Sequence, residues 1–377
     1  MTSIPSTSTA LVLPDLGQPL HLEKTEIPSS APQGSAIVKI LATTIRPHNR
    51  AGFKQKSFLT FPLPFHPGNS AVGRVLSAGP DAVSLKPGQL VWVNGFVSSR
   101  DDPVGTSILL GLFDGGEPKP QGLFAAWRGL WRDVAVAPLE NCLPLDEDVL
   151  VGRMGYTPAD LEYIERLAVA HGGIGAAALR PGETVVVAPA TGHYSGATAE
   201  LAAQMGCHVV ALTRSAAKLA PLAAKHPDRI HPVEVTGDVA ADTEAVRAAL
   251  PRSAVAGADA YIDVSPFEAG PNPPHFAVGI NALRSHGRAV CLGALPAVQL
   301  NYLSLMIRNI TLRGQWMYTR QEAMHLIKMI ESGLVRLGLD AGHELVGGGG
   351  FALEDWGKAV EEAEKATGWG RQVLFTP

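Results

Sequence analysis

Residues 181–206 read PGETVVVAPATGHYSGATAELAAQMG and combine a strand, a turn of small residues and a helix. Residues 184–188 are a continuous β-branched and apolar run, which is typical of a parallel strand covered on both faces. Residues 190–196 supply the turn, and apolar side chains then recur at helical spacing until Gly206, which is suited to end a helix. Such a unit can hold a pyrophosphate, because the first-turn amides and the helix dipole attract anions.

The turn departs from the usual dinucleotide-binding fingerprint, which has three small residues at fixed spacing. Here the three positions are Pro189, Gly192 and Ser195, and Gly196 follows directly. Only the middle position carries the expected glycine. A purely structural strand–turn–helix unit also favours small residues, so this stretch alone leaves cofactor binding and a structural role both open.

Composition limits the class of protein. The 377 residues are enough for two domains, and a content of 46% hydrophobic and 18% charged residues is typical of a well-packed globular chain. The net charge of −4 gives no general attraction to nucleic acid or to an anionic membrane. The N-terminal residues lack the pattern of a signal peptide, and no apolar run is long enough to span a bilayer.

The three cysteines, Cys142, Cys207 and Cys291, stand far apart in the sequence. They make neither a disulfide framework nor a zinc cluster, and they fit a reducing cytosol. We therefore expect a cytoplasmic protein that acts on a small-molecule substrate and has no nucleic-acid or membrane partner.

The pattern of residues changes partway along the chain. Up to about residue 144, short extended segments alternate with proline and glycine, as in an all-β domain, and residues 98–123 read as a long loop. Later, strand-like and helical runs alternate, which indicates βαβ units and a parallel sheet. The strand-like runs are residues 184–188, 208–213, 260–264, 288–293 and 309–314, and the helical runs are residues 215–226, 243–251 and 275–287.

The sequence therefore predicts an α/β protein with a β-rich domain and a doubly wound, Rossmann-type domain built on a parallel sheet. We place the N-terminal part of the β-rich domain at 1–146 and the cofactor domain at 147–316, with 317–377 returning to the first domain. Within this return, residues 371–375 form the last strand. The glycine run at 346–350 follows no convincing strand, so it is interpreted as a flexible connection rather than a phosphate loop.

Several segments carry a resemblance to a known family. They are PGNSAVGRV at 67–75, LKPGQLVW at 85–92, LRPGETVVVAPATG at 179–192, HGRAVCLGA at 286–294 and NITLRGQWMYTRQEAMHLIKMIESGLV at 309–335. In this order the chain resembles the medium-chain dehydrogenase/reductase superfamily, in particular its zinc-free quinone-reductase-like branch, which includes fungal alcohol-dehydrogenase-like proteins. The resemblance implies a GroES-like catalytic domain, a Rossmann cofactor domain and an oxidoreductase activity. It also implies a homodimer formed through the edge strand at 309–314.

The zinc-dependent branch of this superfamily uses an early Cys, a Gly-His-Glu and a later Cys as catalytic ligands. This chain has TTIRPHNR at 43–50 and GNSAV at 68–72 in the first two of these places. Residues 98–123 also lack the four close cysteines that a structural zinc lobe needs. Further departures are Ser70 in place of a Glu and Gln89 in place of an Asp. We therefore expect no metal.

Without a Lewis acid, a simple alcohol or carbonyl has no obvious activator. A conjugated carbonyl or a quinone is the better substrate class, because hydride adds to its activated carbon while a side chain or solvent protonates the enolate. The expected activity is that of a zinc-free, NADP-dependent reductase, of the kind that serves secondary metabolism.

The end of the second cofactor strand bears on the choice of cofactor. An NAD site places a carboxylate there for the ribose 2′-OH, whereas an NADP site places a cation for the 2′-phosphate. Thr213, Arg214 and Ser215 stand at this point, Lys218 lies one helical turn further, and residues 208–227 contain no carboxylate. Arg214 could bind a phosphate bidentately, with Lys218 as a point charge; the alternative is that both are solvated residues at a helix start. The predicted cofactor is NADP(H).

The turn and the end of the second strand supply the expected cofactor-binding residues. They are Ala190, Thr191, Gly192, His193, Tyr194, Ser195, Gly196, Thr213, Arg214, Ser215 and Lys218. Ser195 either donates its hydroxyl to a phosphate oxygen or caps the helix.

The candidate catalytic residues are His171, Tyr194 and His48. Tyr194 could donate a proton near the nicotinamide, or it could pack between strand and helix. By the resemblance, His171 borders the substrate cleft, where it is either a general acid or a structural histidine.

The candidate substrate-binding residues are Arg46, Asn49 and Asp263. By the resemblance, Arg46, His48 and Asn49 take the place of the first zinc ligand and face the cleft, although a role in a turn is equally open. Asp263 ends a strand at the cofactor edge of the sheet, where it could position substrate or cofactor, or bond to nearby backbone.

Two other functions compete with the reductase. Residues 192–196, GHYSG, superficially resemble a G-x-S-x-G nucleophile elbow, but Gly196 directly follows the serine and the spacing fails. The second alternative is a dehydrogenase-fold protein with weak or lost cofactor use that acts as a binding or non-redox protein. The departures at Pro189 and Ser195 motivate it.

Overall fold

A computed structural model describes residues 3–54, 60–102, 105, 107–115, 122–254 and 256–377. Residues 103, 104, 106 and 116–121 of the predicted loop lie outside the described part. The chain divides into two units by its internal packing. The first comprises Met1–Glu165, His343–Thr367 and Arg371–Pro377, and the second comprises Arg166–Gly342 and Gly368–Gly370. The domain boundaries at residues 146 and 316 stay a prediction.

The strands and helices are numbered in chain order. The strands are β1 Thr7–Val12, β2 His21–Glu26, β3 Ser35–Ile45, β4 Ser70–Ala78, β5 Leu90–Asn94, β6 Phe96–Ser98, β7 Ser107–Leu109, β8 Val134–Pro138, β9 Cys142–Pro144, β10 Thr184–Ala188, β11 His208–Thr213, β12 Ile230–Glu234, β13 Ala258–Asp263, β14 Leu283–Cys291, β15 Thr311–Gly314, β16 Glu344–Leu345 and β17 Arg371–Phe375. The α-helices are α1 Asn49–Lys54, α2 Leu123–Ala126, α3 Pro158–Leu161, α4 Ile164–Ala176, α5 His193–Gln204, α6 Ala220–Lys225, α7 Val239–Ala248, α8 Pro274–Ala282, α9 Tyr302–Ile307, α10 Arg320–Glu331, α11 Gly338–Ala341 and α12 Trp356–Lys365.

The first unit is β-rich, as its proline- and glycine-punctuated sequence predicts. Its main sheet has the order β16-β17-β3-β4-β5-β9, and β8 also pairs with β3. The return strand β17 runs antiparallel to β3 with Val373 opposite Ile45, so the predicted return of residues 371–375 is confirmed. Trp131 lies edge-on to both Phe53 and Phe375 and anchors the core on this side of the sheet.

Two predictions for the first unit are refined. The interval expected to be a loop contains β7, which pairs with β6 before the loop. The linker near residues 146–160 contains a π-helical segment, Asp148–Arg153, and the short helix α3, whose Thr157 and Asp160 form a capping box. The prediction that no strand precedes the glycine run at 346–350 was wrong, because the two-residue strand β16 ends directly before it, but no α-helix begins directly after the run. None of the described helices is long and apolar enough to cross a membrane.

The second unit is a doubly wound parallel sheet of order β12-β11-β10-β13-β14-β15. Every residue of β10 is buried, as expected of a central parallel strand covered on both faces. The chain proceeds from β10 to β11 and β12 on one side, and then crosses to β13 on the other. The switch point between β10 and β13 is where an open α/β sheet binds its ligand, at the carboxyl ends of the strands.

Most predicted strands and helices of the second unit occur close to their expected positions, with two exceptions. The predicted helix at 275–287 ends at Ala282, because Leu283 turns to extended backbone, is buried and pairs with Ala258 to begin β14. Strand β12 was not predicted, since His231, Pro232 and Glu234 interrupt its apolar pattern. Its position at the sheet edge accommodates the proline, which cannot donate a backbone hydrogen bond.

Candidate functional site

Strand β10 leads into α5 through a turn set by Gly192 and Ser195. Gly192 precedes the helix in an extended conformation, with φ −80° and ψ 174°, and its amide donates to Ser195 Oγ at 2.9 Å. Ser195 is buried. Its hydroxyl oxygen therefore caps the turn, while its hydroxyl proton can still be donated to another acceptor. The phosphate contact expected of Ser195 stays a prediction.

The other turn residues surround this cap. Ala190 is buried and its amide donates to the Leu212 carbonyl at 2.8 Å, which ties the turn to β11. Thr191, His193 and Tyr194 are half-buried beside the exposed Gly192. A side-chain carbon at Gly192 would meet only Ser195 Oγ, so the turn keeps an open face toward the sheet's carboxyl edge.

Trp369 packs against α5 just beyond the turn. A side-chain carbon at Gly196 would lie 2.6 Å from Trp369 Cβ, so the helix tolerates only glycine here. The Trp369 indole nitrogen donates to Glu200 Oε2 at 2.7 Å, and Gln204 Nε2 donates to Glu200 Oε1 at 3.0 Å. Glu200 is completely buried. Gly196 therefore serves the packing of the helix that carries the turn.

The end of β11 presents cations, as the sequence predicts. Thr213 Oγ1 accepts from the Ser215 amide at 2.9 Å and donates to the Ser215 carbonyl, which closes a small turn. Arg214 and Lys218 are exposed, and within the described residues neither side chain makes a hydrogen bond or an ion pair. Both cations are therefore available to an anionic ligand.

A carboxylate that the sequence analysis overlooked also reaches this edge. Glu234 ends β12 directly opposite Thr213, and its Oε2 accepts from the Ala216 amide at 2.9 Å. Glu234 lies beyond residues 208–227, the segment in which the sequence has no carboxylate. The neighbouring strand brings Glu234 into the region that decides between ribose hydroxyl and phosphate recognition.

Asp263 ends β13 level with Ala188 of β10 and is buried. Its Oδ2 accepts from the Tyr261 hydroxyl at 3.0 Å and from Ser265 Oγ at 2.8 Å, while Oδ1 accepts from the Ser265 amide at 3.2 Å. His275 Nε2 lies 2.7 Å from Ser265 Oγ. Asp263 thus lies at the expected edge, where it organises a polar chain; the sequence analysis did not identify the other members.

His171 lies in the middle of α4 and is 5% exposed. Its ring meets His325 edge-on, with centroids 5.4 Å apart. Burial, together with the charge of His325 and despite Glu322, lowers the pKa of His171. The imidazole is therefore neutral near pH 7, and a catalytic role for it stays a prediction.

In the first unit, Arg46 and Asn49 form a buried turn. Asn49 Oδ1 accepts from the Arg46 amide at 2.6 Å, and the Asn49 amide donates to the Arg46 carbonyl at 3.1 Å, where α1 begins. The Arg46 guanidinium forms an ion pair with Glu165, and both side chains are less than a tenth exposed. Asn49 has the turn role that the sequence left open, and the Arg46 charge is matched inside the protein.

A second carboxyl group, Glu162, lies in the same cluster. It is 1% exposed, and its Oε1 accepts from the Thr44 amide at 3.3 Å. Burial raises the pKa of Glu162 well above its usual range, although the Ser70 side chain hydrogen-bonds to it and opposes the shift. Burial thus favours the protonated form of the Glu162 carboxyl over the carboxylate. Glu162 reaches Ser70, the position at which the superfamily motif has its own Glu.

His48 adjoins this cluster at an exposed position. Crowding by protein atoms and the nearby Arg46 charge lower the pKa of His48 to about 4, against the opposing effect of Glu165. The imidazole is neutral at physiological pH. Within the part of the chain that the structure describes, no three His, Cys, Asp or Glu side chains are grouped so that they could hold a metal ion.

The carboxyl ends of the parallel strands in the second unit carry groups that can bind a dinucleotide. They offer the open turn at Gly192, the N-terminus of the 12-residue α5 and the exposed cations Arg214 and Lys218. Helix N-termini and cations are the groups that bind phosphates, and the switch point supplies the crevice between two nucleotide halves. The residues present therefore fit a nicotinamide dinucleotide.

Comparison with known proteins gives the same architecture. The sequence profile described as the alcohol dehydrogenase GroES-like domain matches residues 32–147. Alcohol dehydrogenase 1 of Emericella nidulans is 24% identical over 386 aligned positions, which cover 100% of this chain and 99% of that protein.

Solved structures are similar along nearly the whole chain. A thermostable alcohol dehydrogenase from Pyrobaculum aerophilum has a TM-score of 0.70 at 18% identity, covering 98% of this chain and 100% of that one. A zinc-binding dehydrogenase from Sinorhizobium meliloti 1021, so described in its structure bound to NADP, has a TM-score of 0.73 at 19% identity, covering 99% and 100%. The fold is thus a GroES-like β-rich unit and a Rossmann-type parallel-sheet unit, as predicted.

Proposed function

We propose that this chain is a member of the medium-chain dehydrogenase/reductase superfamily and acts as a zinc-independent, NADPH-dependent reductase of conjugated carbonyls or quinones. The observation that carries the proposal is the carboxyl edge of the parallel sheet, where an open phosphate turn at Gly192 and the exposed Arg214 flank the switch point. An edge of this kind binds a dinucleotide with one half on each side.

The preference for NADPH rests on charge. Arg214 and Lys218 are exposed and unmatched among the described residues, so a 2′-phosphate would gain charge-assisted hydrogen bonds there. Glu234 is the competing group, because a carboxylate at this edge can accept from a ribose 2′-OH. Its Oε2 is already bonded to the Ala216 amide, which leaves the two cations as the stronger recognition element.

Zinc independence is supported by the chemistry of the first unit. Arg46, which by resemblance takes the place of the first catalytic ligand, is a buried cation whose charge is matched by Glu165. A zinc ion beside it would face the Arg46 guanidinium and the buried carboxyl group of Glu162, whose raised pKa disfavours the ionised form that binds metals.

The substrate class follows from the proposed lack of a Lewis acid. When bound, NADPH supplies a hydride to the electron-poor carbon of an enone or quinone, and the chain must then provide or admit one proton. Tyr194, His48 and His171 are the candidate donors that the sequence offers, but the lowered pKa values of the two histidines make them neutral and therefore weak acids. Arg46, Asn49 and Asp263 remain proposed substrate-site residues in positioning roles.

We further propose a homodimer formed through β15 and α9. All four residues of β15 are exposed at the edge of the sheet, where unpaired backbone groups can pair with another strand. Tyr302, Leu303 and Ile307 on α9 are 81%, 59% and 64% exposed. A second copy of this chain related by a twofold axis would pair the edge strands and cover this apolar surface.

A cytoplasmic location is also proposed. It rests on the absence of disulfide bonds between Cys142, Cys207 and Cys291, as is usual where thiols stay reduced.

The decisive experiment titrates the purified full chain with NADPH and with NADH, and then follows NADPH oxidation with cyclohexenone, hexenal and phenanthrenequinone. We expect tighter binding of NADPH, oxidation with at least one of these acceptors, and no loss of activity in EDTA. Failure to bind either nucleotide would refute the reductase and favour the alternative of a non-redox binding protein. Stoichiometric zinc in elemental analysis would overturn the zinc-free assignment.

A further inference from the structure

The polar chain at the end of β13 has a single consistent direction of hydrogen bonding. Asp263 Oδ2 accepts from the Tyr261 hydroxyl and from Ser265 Oγ, at 3.0 and 2.8 Å. Ser265 has one hydroxyl proton, so when this proton goes to Asp263 the serine oxygen can only accept from His275. His275 Nε2, 2.7 Å away, must therefore carry the N–H.

This direction of bonding leaves the other ring nitrogen, Nδ1, as the end of His275 that gains or loses a proton. The His275 side chain is 16% exposed, whereas Asp263 and Ser265 are each 2% exposed. Asp263 Oδ2 lies 3.6 Å from His275 Nε2, so the carboxylate reaches the imidazole through Ser265 rather than by a direct hydrogen bond. A buried acid thus orients a partly exposed histidine, and Ser265 links the two.

The arrangement differs from that of a serine hydrolase. In a hydrolytic triad the carboxylate and the serine contact opposite nitrogens of the histidine, so that the serine is activated as a nucleophile. Here Ser265 and Asp263 both lie on the Nε2 side of His275, and the hydroxyl is buried. These hydrogen bonds are therefore suited to holding the imidazole in place, and Ser265 is not suited to attacking a carbonyl carbon.

The hydrogen-bonded side chains of Asp263, Ser265 and His275 lie at the end of the sheet where the dinucleotide is proposed to bind. Asp263 is level with Ala188, the last residue before the phosphate turn, and the Val264 amide donates to the Ala188 carbonyl at 2.9 Å. Arg214 lies on the β11 side of the switch point, which assigns the 2′-phosphate half to that side. The nicotinamide half then falls on the β13 side, where His275 begins α8 at its second residue.

We propose that His275 donates the proton that completes substrate reduction, and that Ser265 and Asp263 position it. This inference rests on the proposed NADPH-dependent reduction. After hydride reaches the β-carbon of an enone, the former π-electron pair makes the substrate an enolate. The Nδ1–H bond of the imidazolium breaks, its proton bonds to the enolate, and neutral His275 keeps its Nε2–H bond to Ser265 until solvent protonates it again.

The first test follows the nitrogen and carbon resonances of labelled histidines by NMR, with His275→Gln used to assign the signal. We expect neutral His275 to be protonated at Nε2 in the wild type, and to lose this preference in Ser265→Ala while Ser265→Thr keeps it. Addition of NADP⁺ should shift the His275 signal and leave that of His231, on β12, in place. A His275 protonated at Nδ1, or unmoved by bound NADP⁺, would overturn the proposal.

The second test measures turnover of cyclohexenone, or of whichever acceptor the wild type reduces. Because a general acid contributes about 10²–10⁴-fold, His275→Gln should lower kcat by at least ~10-fold, with the KM for NADPH nearly unchanged. His231→Gln is the matched control and should behave as the wild type. Equal kcat values for wild type and His275→Gln would refute the role of His275 and leave the proposed reductase function intact. Absence of NADP(H) binding would instead refute the proposed function itself.

Discussion

The Trp369 indole nitrogen donates to Glu200 Oε2 at 2.7 Å, across 169 positions of sequence. This bond joins a tryptophan near the C-terminus to the helix that carries the phosphate turn. The same indole side chain fills the space beside Gly196, where an added carbon would lie 2.6 Å from Trp369 Cβ. The conformation of α5 therefore depends on a segment that follows almost the whole chain.

The first prediction concerns Gly196→Ala. Because the new methyl group would overlap Trp369 Cβ, which cannot move without its backbone, we expect the free energy of unfolding to fall by about 1–3 kcal/mol. Urea denaturation measures it. The matched control is Gly357→Ala in α12, where the added carbon meets nothing within 4 Å and helix propensity should increase stability by about 0.5–1 kcal/mol. Equal effects of the two substitutions would show that Trp369 does not constrain α5.

The second prediction concerns Arg214→Ala. Loss of a charge-assisted bond to the 2′-phosphate should weaken NADPH binding by roughly 10–100-fold, from about 1.5–3 kcal/mol per bond. NADH binding should stay the same, since NADH has no 2′-phosphate. Fluorescence titration of both nucleotides measures the ratio. Glu234→Gln is the informative control, and a larger loss of NADH than of NADPH binding there would mark an NAD site instead.

The third prediction concerns the ion pair of Arg46 and Glu165. Glu165→Gln leaves the Arg46 charge buried without its counter-ion, so the protein should lose about 3–5 kcal/mol of stability. Replacing both partners, as Arg46→Met with Glu165→Leu, should restore much of this loss because no charge remains buried. Glu244→Gln, which breaks an exposed pair with Arg247, should have almost no effect. A small effect of Glu165→Gln would mean that solvent already reaches Arg46.

The fourth prediction uses the raised pKa of Glu162. The folded state holds the Glu162 proton at pH values where the unfolded chain has released it, so the contribution to stability is present below the unfolded pKa and is lost as pH rises toward the folded pKa. Glu162→Gln stays neutral at every pH. The free energy of unfolding of Glu162→Gln, relative to that of the wild type, should therefore increase with pH. The increase should be up to about 1.4 kcal/mol per pH unit above the pH range in which an ordinary glutamate titrates. Thermal unfolding from pH 4 to 8 tests this, and parallel profiles would contradict it.

The fifth prediction concerns the homodimer. Ile307→Asp places a charge on the exposed apolar surface of α9 and should shift the protein from dimer to monomer in analytical ultracentrifugation. Val83→Asp is the control, because Val83 is 97% exposed and belongs to the first unit, whereas α9 and β15 belong to the second. A monomeric wild type, or an Ile307→Asp variant that still dimerises, would refute the proposed interface.

The sequence predicted the parallel strands well because their apolar runs are continuous and local. Strands β10 and β11 begin and end at the residues expected, and β17 pairs with β3 as anticipated. Prediction from the sequence failed where the local residue pattern indicates one structure and the tertiary position of the segment imposes another. Pro232 interrupts the apolar pattern of β12, and residues 283–287 were predicted to continue the helix although Leu283 pairs with Ala258.

The candidate site shows a similar division. Arg214 and Asp263 were placed correctly at the carboxyl edge of the sheet, because each directly follows or ends a recognisable strand. Glu162 was missed, since it is an ordinary glutamate in a helical sequence until the fold removes it from water. The same holds for His275, which becomes distinctive only through its contact with Ser265.

By itself, the sequence determined the two kinds of unit, the strand–turn–helix that fits a pyrophosphate, and the cations that follow the second strand. The spacing of apolar residues, the turn residues and the β-branched runs are local patterns of a few residues, so they can be recognised without a structure. Only the tertiary structure decided that Glu165 matches Arg46, that Glu162 reaches Ser70 and has a raised pKa, and that Trp369 packs against Gly196. These relationships join residues distant in the chain, and their energies depend on burial and distance, which exist only once the chain has folded.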